Sequence, residues 1–230
     1  MKSFIYAAAT VLLCTSCFHV NTNWTSGMKN AIKGEGPVVT KTFEDLKDFD
    51  KIVISGHSDV VFTQSPTFEV TLNTQENILD YIDFHVDGTT LILQTKNHRN
   101  IRAERYDLTI QAPVLKSLEV SGAADFEIPN GMVSEDDFKI QVNGAGDLSF
   151  NALRCKDVSI QVNGAADVEL TGIDVRNLEV QVNGAGDANI SGNAAEASFS
   201  VNGAGGIDAR DLKVAGEVSK HTAGVAKIQL

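Results

Sequence analysis

The chain has 230 residues, 43% of them hydrophobic, with 30 acidic against 19 basic side chains and a formal net charge of −11. That length and apolar share suffice to bury a core as one elongated domain or two small ones, and they exclude a disordered chain. The acidic balance, without any cluster of Lys and Arg, argues against a nucleic-acid partner, which needs a basic face.

Residues 1–16 read as an export signal. Lys2 supplies a positive start, Phe4 to Leu13 is a short apolar run, and Thr15 and Ser16 are small residues ahead of Cys17. The run is too short to anchor the chain across a bilayer. The ending LCTSC resembles a bacterial lipobox, in which the cysteine is lipidated and becomes the mature N-terminus. Cys17 is therefore the expected lipidation site, although Cys14 stands where that pattern prefers leucine. Ordinary cleavage that leaves Cys17 free is the alternative. If Cys17 begins the mature chain, loss of Lys2 takes the charge from −11 to −12, and the lipid is the membrane contact. Of the three cysteines only Cys155 then remains, which leaves no intramolecular disulfide and no thiol metal cluster. Its equivalent one period later is Val175, so a small buried hydrophobe is its expected role.

Residues 17–40 carry Asn, Thr, Ser, Gly and Pro without a sustained period and are expected to form a tether. Phe18, Val20 and Trp24 could instead cover an apolar end of the fold. From Phe49 onward nearly everything alternates. KIVISG (51–56), FEVTLNT (68–74), YIDFHV and TTLILQT flanking Asp87-Gly88 (81–95), YDLTIQAP (106–113) and LKSLEVSG (115–122) are short, rich in Val, Ile, Thr and Phe, and bounded by turn residues. Asp87-Gly88 is a two-residue hairpin signal. Only TQENILDYI (74–82) is suited to a turn or two of helix. The chain is expected to be all-β.

The septet QVNGAGD at 141–147 returns as QVNGAAD at 161–167, as QVNGAGD at 181–187 and as SVNGAGG at 200–206, a period of 20, 20 and then 19 residues. One parity of each unit gives two apolar, two tiny and two apolar positions, as in Ile140, Val142, Gly144, Gly146, Leu148 and Phe150, which is a core face. The units fall at 118–128, 138–150, 158–170, 178–190 and 197–209. A fixed period near 20 with one strand-rich pattern per period predicts a β-solenoid, a single domain over 41–230 with about 20 residues per coil. Stacked coils would turn every septet position into a column with a spacing of about 4.8 Å. Glycine fits the narrow positions because a side chain there would collide with its copies above and below.

The other parity carries the candidate binding face. It gives a Gln column (Gln141, Gln161, Gln181), an Asn column (Asn143, Asn163, Asn183, Asn202), an Ala column (Ala123, Ala145, Ala165, Ala185, Ala204) and an Asp column (Asp125, Asp147, Asp167, Asp187). Stacked amides can hydrogen-bond one another along the stack. Like charges about 4.8 Å apart repel by roughly 0.9 kcal/mol per pair even at the dielectric of water. Two readings of the Asp column follow. Ca2+ held by Asp147, Asp167 and Asp187, or a cationic partner, would offset the repulsion. Alternatively each Asp caps its own turn while water and salt do the rest. The spacing does not match the nine-residue calcium-binding β-roll.

The run VSGAADFEI (120–128), the NGAGD-type repeats, the opening FDKIVISGHSDVVF (49–62) and the closing KHTAGVAKIQL (220–230) resemble the head GIN domain family of auto-transporter adhesins, which is common among lipoproteins of Bacteroidetes-type bacteria. The resemblance covers about residues 40–230. It implies a right-handed parallel β-helix of pectin-lyase-like architecture and a role in cell adhesion, with no catalytic set to carry over. Gly206 departs from the pattern, because the Asp column stops there.

These readings make the chain a noncatalytic, lipid-anchored protein of the outer membrane, facing the periplasm or the cell surface. Its flat face would bind a glycan or protein, or pack against another copy as a homo-oligomer, and a purely structural role in the envelope is a further alternative. A polysaccharide-acting enzyme is the competing class, because solenoids of that architecture often cut polysaccharides. Ser55, His57 and Asp59 alternate on one strand face, which does not assemble a triad, and GHSDV lacks the final glycine of a nucleophile elbow. Catalysis would need a break in the repeat that gathers unlike residues, and Arg102, Glu104, Arg105 and Tyr106 mark the most irregular stretch. A solvated strand edge is the plainer reading of that cluster.

Overall fold

The computed structural model describes residues 31–230. The expected signal segment 1–16, Cys17, and Phe18, Val20 and Trp24 lie outside the described residues.

Thirteen strands follow in chain order: β1 (Ile32–Lys33), β2 (Val38–Thr42), β3 (Lys51–Gln64), β4 (Glu69–Gln75), β5 (Ile82–Asp87), β6 (Thr90–Thr95), β7 (Ile101–Arg102), β8 (Tyr106–Ala112), β9 (Ser117–Ile128), β10 (Met132–Val133), β11 (Phe138–Asn151), β12 (Leu153–Val214) and β13 (Val218–Gln229). The all-β expectation holds. The helical turn expected within 74–82 is a short 3-10 helix over Glu76–Tyr81.

Eleven strands form one sheet, ordered β10-β12-β11-β9-β3-β8-β4-β2, with β13 beside β12 and the β5–β6 pair joined through β6 to β3. The expected right-handed parallel β-helix is overturned by this arrangement. The sheet is mixed, because β2 runs antiparallel to β4, β4 to β8 and β5 to β6. Only the β5–β6 reversal comes from a short link, the two residues between Asp87 and Thr90, whereas β2 and β4, and β4 and β8, are separated along the chain by other strands and pair as non-consecutive neighbours. Asp87 pairs with Thr90, so the hairpin loop is Gly88-Thr89. Gly88 takes the positive φ of 61° that such a loop demands of its first residue.

The chain's start also differs from expectation. Within the stretch 17–40 read as a tether, Ile32 and Lys33 pair with Ile101 and Arg102, and β2 already pairs with β4. Ile32 packs against the core, which holds residues 31–40 on the domain.

Residues 117–229 are all parallel and in register. Phe138–Asn151 of β11 pairs position for position with Val158–Thr171, and β9 pairs with β11. The 62-residue β12 is strand-paired along its length but bends, with Gly172 at φ +66°, and passes beside itself, so that Gly184 lies against Gly164 and Gly203 against Gly184. The glycines are needed because these backbones nearly touch. A Cβ on Gly164, where φ is +153°, would stand 1.9 Å from the carbonyl oxygen of Gly144. Alternation then sends one parity inward. Ile52, Leu118, Ile140, Ile160, Val180 and Phe199 are at most 1% exposed. Burying each such side chain contributes about 1.5–3 kcal/mol, which fixes the register, since a one-residue slip would turn the whole set to solvent.

Candidate functional site

The outward parity forms the face that the septets build. Asn143, Asn163, Asn183 and Asn202 stand at equivalent positions of successive passes and are joined side chain to side chain. Asn163 Nδ2 donates to Asn143 Oδ1 at 3.0 Å, Asn183 to Asn163 at 3.1 Å, and Asn202 to Asn183 at 3.0 Å. A carboxamide has two N–H donors and two acceptor lone pairs. Asn183 spends one donor and one lone pair on the ladder and keeps one of each, while the second lone pair of Asn163 accepts from Gln161 Nε2 at 3.5 Å. The Gln column behaves differently, because Gln181 Nε2 turns to Glu179 Oε1 at 2.7 Å. Next to the amides, Ala123, Ala145, Ala165, Ala185 and Ala204 are all exposed and keep the surface flat.

The Asp column is longer than the septets indicate. Asp59 pairs with both Asp107 and Asp125, so Asp107, Asp59, Asp125, Asp147, Asp167 and Asp187 lie in one row. Backbone amides offset part of the repulsion. The Asp147 N–H donates to Asp125 Oδ1 and the Asp187 N–H to Asp167 Oδ1, each at 2.9 Å. At the row's far end Arg105 Nε meets Asp107 Oδ2 at 3.3 Å. Among the described residues no three His, Cys, Asp or Glu side chains gather into a metal-binding group, so Asp147, Asp167 and Asp187 form a line and not a cage.

Ser55, His57 and Asp59 do not converge. They fall in three separate columns, opposite Ser121, Ala123 and Asp125, and His57 Nδ1 lies 3.1 Å from the Ala123 carbonyl oxygen. In the irregular stretch, Tyr106 is half-buried and burial pushes its hydroxyl pKa upward, while Thr74 Oγ1 donates to the Arg105 carbonyl at 2.8 Å. Those contacts hold a strand end together.

A second feature lies where each pass begins. A cleft of about 550 Å³ crosses five passes, and Asp137, Asp157, Glu179, Glu196, Glu217 and Lys139 are among its lining residues. Asp157 accepts from Arg176 Nε at 3.0 Å and Nη2 at 2.6 Å and from Asn177 Nδ2 at 2.8 Å. The Arg176 guanidinium therefore holds the Asp157 carboxyl below the usual carboxylate range. Sequence reasoning missed this cleft. Its signal was a polar residue ahead of each apolar pass: Asp137 before Phe138, Asp157 before Val158, Asn177 before Leu178, Glu196 before Ala197 and Glu217 before Val218.

The row's other end is broken. After Asp187 the next positions are Gly206 and, paired with it on β13, Lys227. The missing side chain opens a notch of about 320 Å³ bordered by Asp187, Asn189, Asp208, Lys227 and Gln229. Asp208 is fixed by Arg210, whose Nε donates to Oδ1 at 2.9 Å, and its pKa is lowered to about 2 by that bond first and by the charges of Arg210 and Lys227 last.

The family model described as "Putative auto-transporter adhesin, head GIN domain" matches residues 48–173 and 156–230. Solved structures share the fold. A "putative adhesin" from Bacteroides fragilis is 23% identical with a TM-score of 0.72, over 86% of this chain and 99% of that one. One from Parabacteroides distasonis is 23% identical with a TM-score of 0.77, over 86% and 84%. A third, from Parabacteroides merdae, is 16% identical with a TM-score of 0.54, over 87% and 99%. No curated protein matches the chain.

Proposed function

Because the chain belongs to the family of auto-transporter adhesins with a head GIN domain, we propose that it is a noncatalytic adhesin of the cell envelope that binds a glycan through its Asn, Ala and Asp columns. The single observation that carries this reading is the amide ladder. Three successive Asn–Asn bonds of 3.0, 3.1 and 3.0 Å hold four side chains at fixed spacing on one face. Their orientation is set before a ligand arrives, which lowers the ordering cost of binding. The donors and acceptors that the ladder leaves over suit a ligand rich in hydroxyls, which needs both. An extended peptide fits the row less well. Its same-side residues recur at about 6.7 Å, against about 4.8 Å between passes.

The noncatalytic part of the proposal rests on the regular spread of the acids, since glycoside hydrolysis needs two carboxyl groups flanking one bond. The envelope part includes anchoring by a lipid on Cys17, motivated by LCTSC. The test uses the chain with Cys17→Ala, purified without lipid, on an array of neutral and acidic glycans. Retention without shortening of the glycan, weakened at least tenfold by Asn163→Ala with Asn183→Ala, is the expected result. Silence across the array, or cleaved glycan, overturns it. Incorporation of labelled fatty acid into the native chain and its loss in Cys17→Ala tests the anchor.

A further inference from the structure

The Asp row ends in a position that no other pass shares. Asp187, Gly206 and Lys227 are consecutive along the row, and two residues on in the same parity lie Asn189, Asp208 and Gln229. The notch is therefore a grid with an empty centre: a carboxylate on one side, an ammonium on the other, and a carboxylate and two amides along the third. Gly206 is not required by the backbone here. Its φ lies outside the range that favours glycine, and a Cβ would come to 3.2 Å from Asp187 Oδ1 and 3.3 Å from the Lys227 carbonyl oxygen, contacts that ask each neighbour to give by a few tenths of an ångström. The six positions of the row before it, from Asp107 to Asp187, all hold Asp. The glycine thus leaves space where the fold would accept a side chain.

Charge distinguishes this place from the rest of the face. The formal charge of the chain is −11, and the row beside the ladder is a line of carboxylates that repels anions. At the notch Asp208 is paired with Arg210, and Lys227 stands opposite Asp187 with no salt-bridge partner of its own within reach of an acid side chain in the ion pairs of the described residues. Its surroundings are close to neutral. β13 contributes Lys220, His221 and Lys227 and no carboxylate.

We propose that the notch over Gly206 is a binding subsite for one sugar ring that bears a carboxylate, with the carboxylate on Lys227 and the hydroxyls on Asp187, Asp208 and Asn189. A carboxylate accepts hydrogen bonds only, so it is matched by the ammonium; hydroxyls donate to the two Asp side chains and exchange bonds with the amide. The volume of about 320 Å³ suits a single ring and not a folded domain. This subsite rests on the glycan-binding reading above and adds the class of sugar to it.

The test compares the Cys17→Ala chain with Gly206→Asp, which restores the repeat and fills the notch, and with Lys227→Gln, which removes the cation at an exposed position. Uronate-bearing oligosaccharides and their neutral counterparts are the probes, and the Gly206 backbone amide is followed by NMR during titration with a free uronate. Binding of uronate glycans at least tenfold tighter than neutral ones, a shifted Gly206 resonance, and at least tenfold loss in both variants are expected. Circular dichroism checks that Gly206→Asp folds, and Lys227→Gln carries the test if it does not. Wild-type retention that both variants leave unchanged overturns the notch while the face stands. Equal retention of neutral and uronate glycans overturns the acidic-sugar assignment. Silence of the wild type on every glycan overturns both the subsite and the reading beneath it.

Discussion

Asn163 donates its side-chain amide to Asn143 across 3.0 Å from the equivalent position of the next pass. It also accepts from Asn183 at 3.1 Å. Asn163→Ala therefore removes both ladder bonds and a long 3.5 Å donation from Gln161, leaving Asn183 without its acceptor, whereas Asn202→Ala removes one ladder bond, the terminal donation to Asn183, and a long 3.5 Å donation to Ser200. At about 0.5–1.5 kcal/mol per net hydrogen bond, the inner substitution is expected to cost about 1–2 kcal/mol and the outer one about half of that. Urea unfolding of the two variants checks it, and equal costs would mean that the ladder adds nothing to stability.

Gly164 and Gly56 both take positive φ, +153° and +113°, but only Gly164 has a neighbour in the way. A Cβ at Gly164 would stand 1.9 Å from the Gly144 carbonyl oxygen, while nothing lies within 4 Å of one at Gly56. Gly56→Ala meets backbone strain alone, of order 1–3 kcal/mol, and is expected to fold with lowered stability. Gly164→Ala meets the strain together with a clash against backbone that cannot move without parting two passes. It is expected to exceed about 4 kcal/mol and to yield little folded protein. Thermal unfolding of both variants separates strain from close approach.

That contrast also marks how much of the molecule was legible. The inward and outward parities of residues 117–209 follow from alternation, because each strand has one buried face, and the Asn and Asp columns follow from the period. The direction of the strands before residue 113 does not follow. Period-two alternation is the same for parallel and antiparallel neighbours, so FEVTLNT and YDLTIQAP could be read as further coils when they are antiparallel partners, β4 and β8. For the same reason Asp59 and Asp107 were not placed in the Asp row: their neighbours are set by a pairing that crosses from one kind of unit to the other. Gly206 was visible as a gap in the repeat, but the Lys227 that faces it lies on a strand whose sequence, VSKHTAGVAKIQ, has lost the septet.

The Asp208–Arg210 pair gives a pH signature. The guanidinium lowers the Asp208 pKa to about 2, below the ordinary aspartate value near 3.9. Above the ordinary value the pair's contribution to stability is fully present, and it is lost as pH falls through the folded value near 2. Carboxyl-carbon NMR is expected to show Asp208 titrating near pH 2, and Arg210→Gln should return it to the usual carboxylate range. A midpoint that the substitution does not move would show that the pair is not formed in solution.

Cys155 is buried and free among the described residues. Burial first, and the nearby Asp137 charge second, push its thiol up to about 11, against about 8.5 for an exposed thiol. Between those values the unfolded chain releases the proton while the folded chain keeps it, so stability falls as pH rises across that window. Two measurements on the Cys17→Ala chain, from which the signal with Cys14 has been removed, follow from this. At pH 8 a thiol reagent should modify the native protein far more slowly than the urea-unfolded chain, because the thiolate is the nucleophile and the native site supplies little of it. The urea midpoint should drop more steeply from pH 8 to pH 10 with Cys155 than with Cys155→Ala, whose missing sulfur lowers the midpoint by an amount that does not vary with pH. Rapid native modification would instead place the thiol in an open, reactive setting, which the apolar equivalent Val175 one period away argues against.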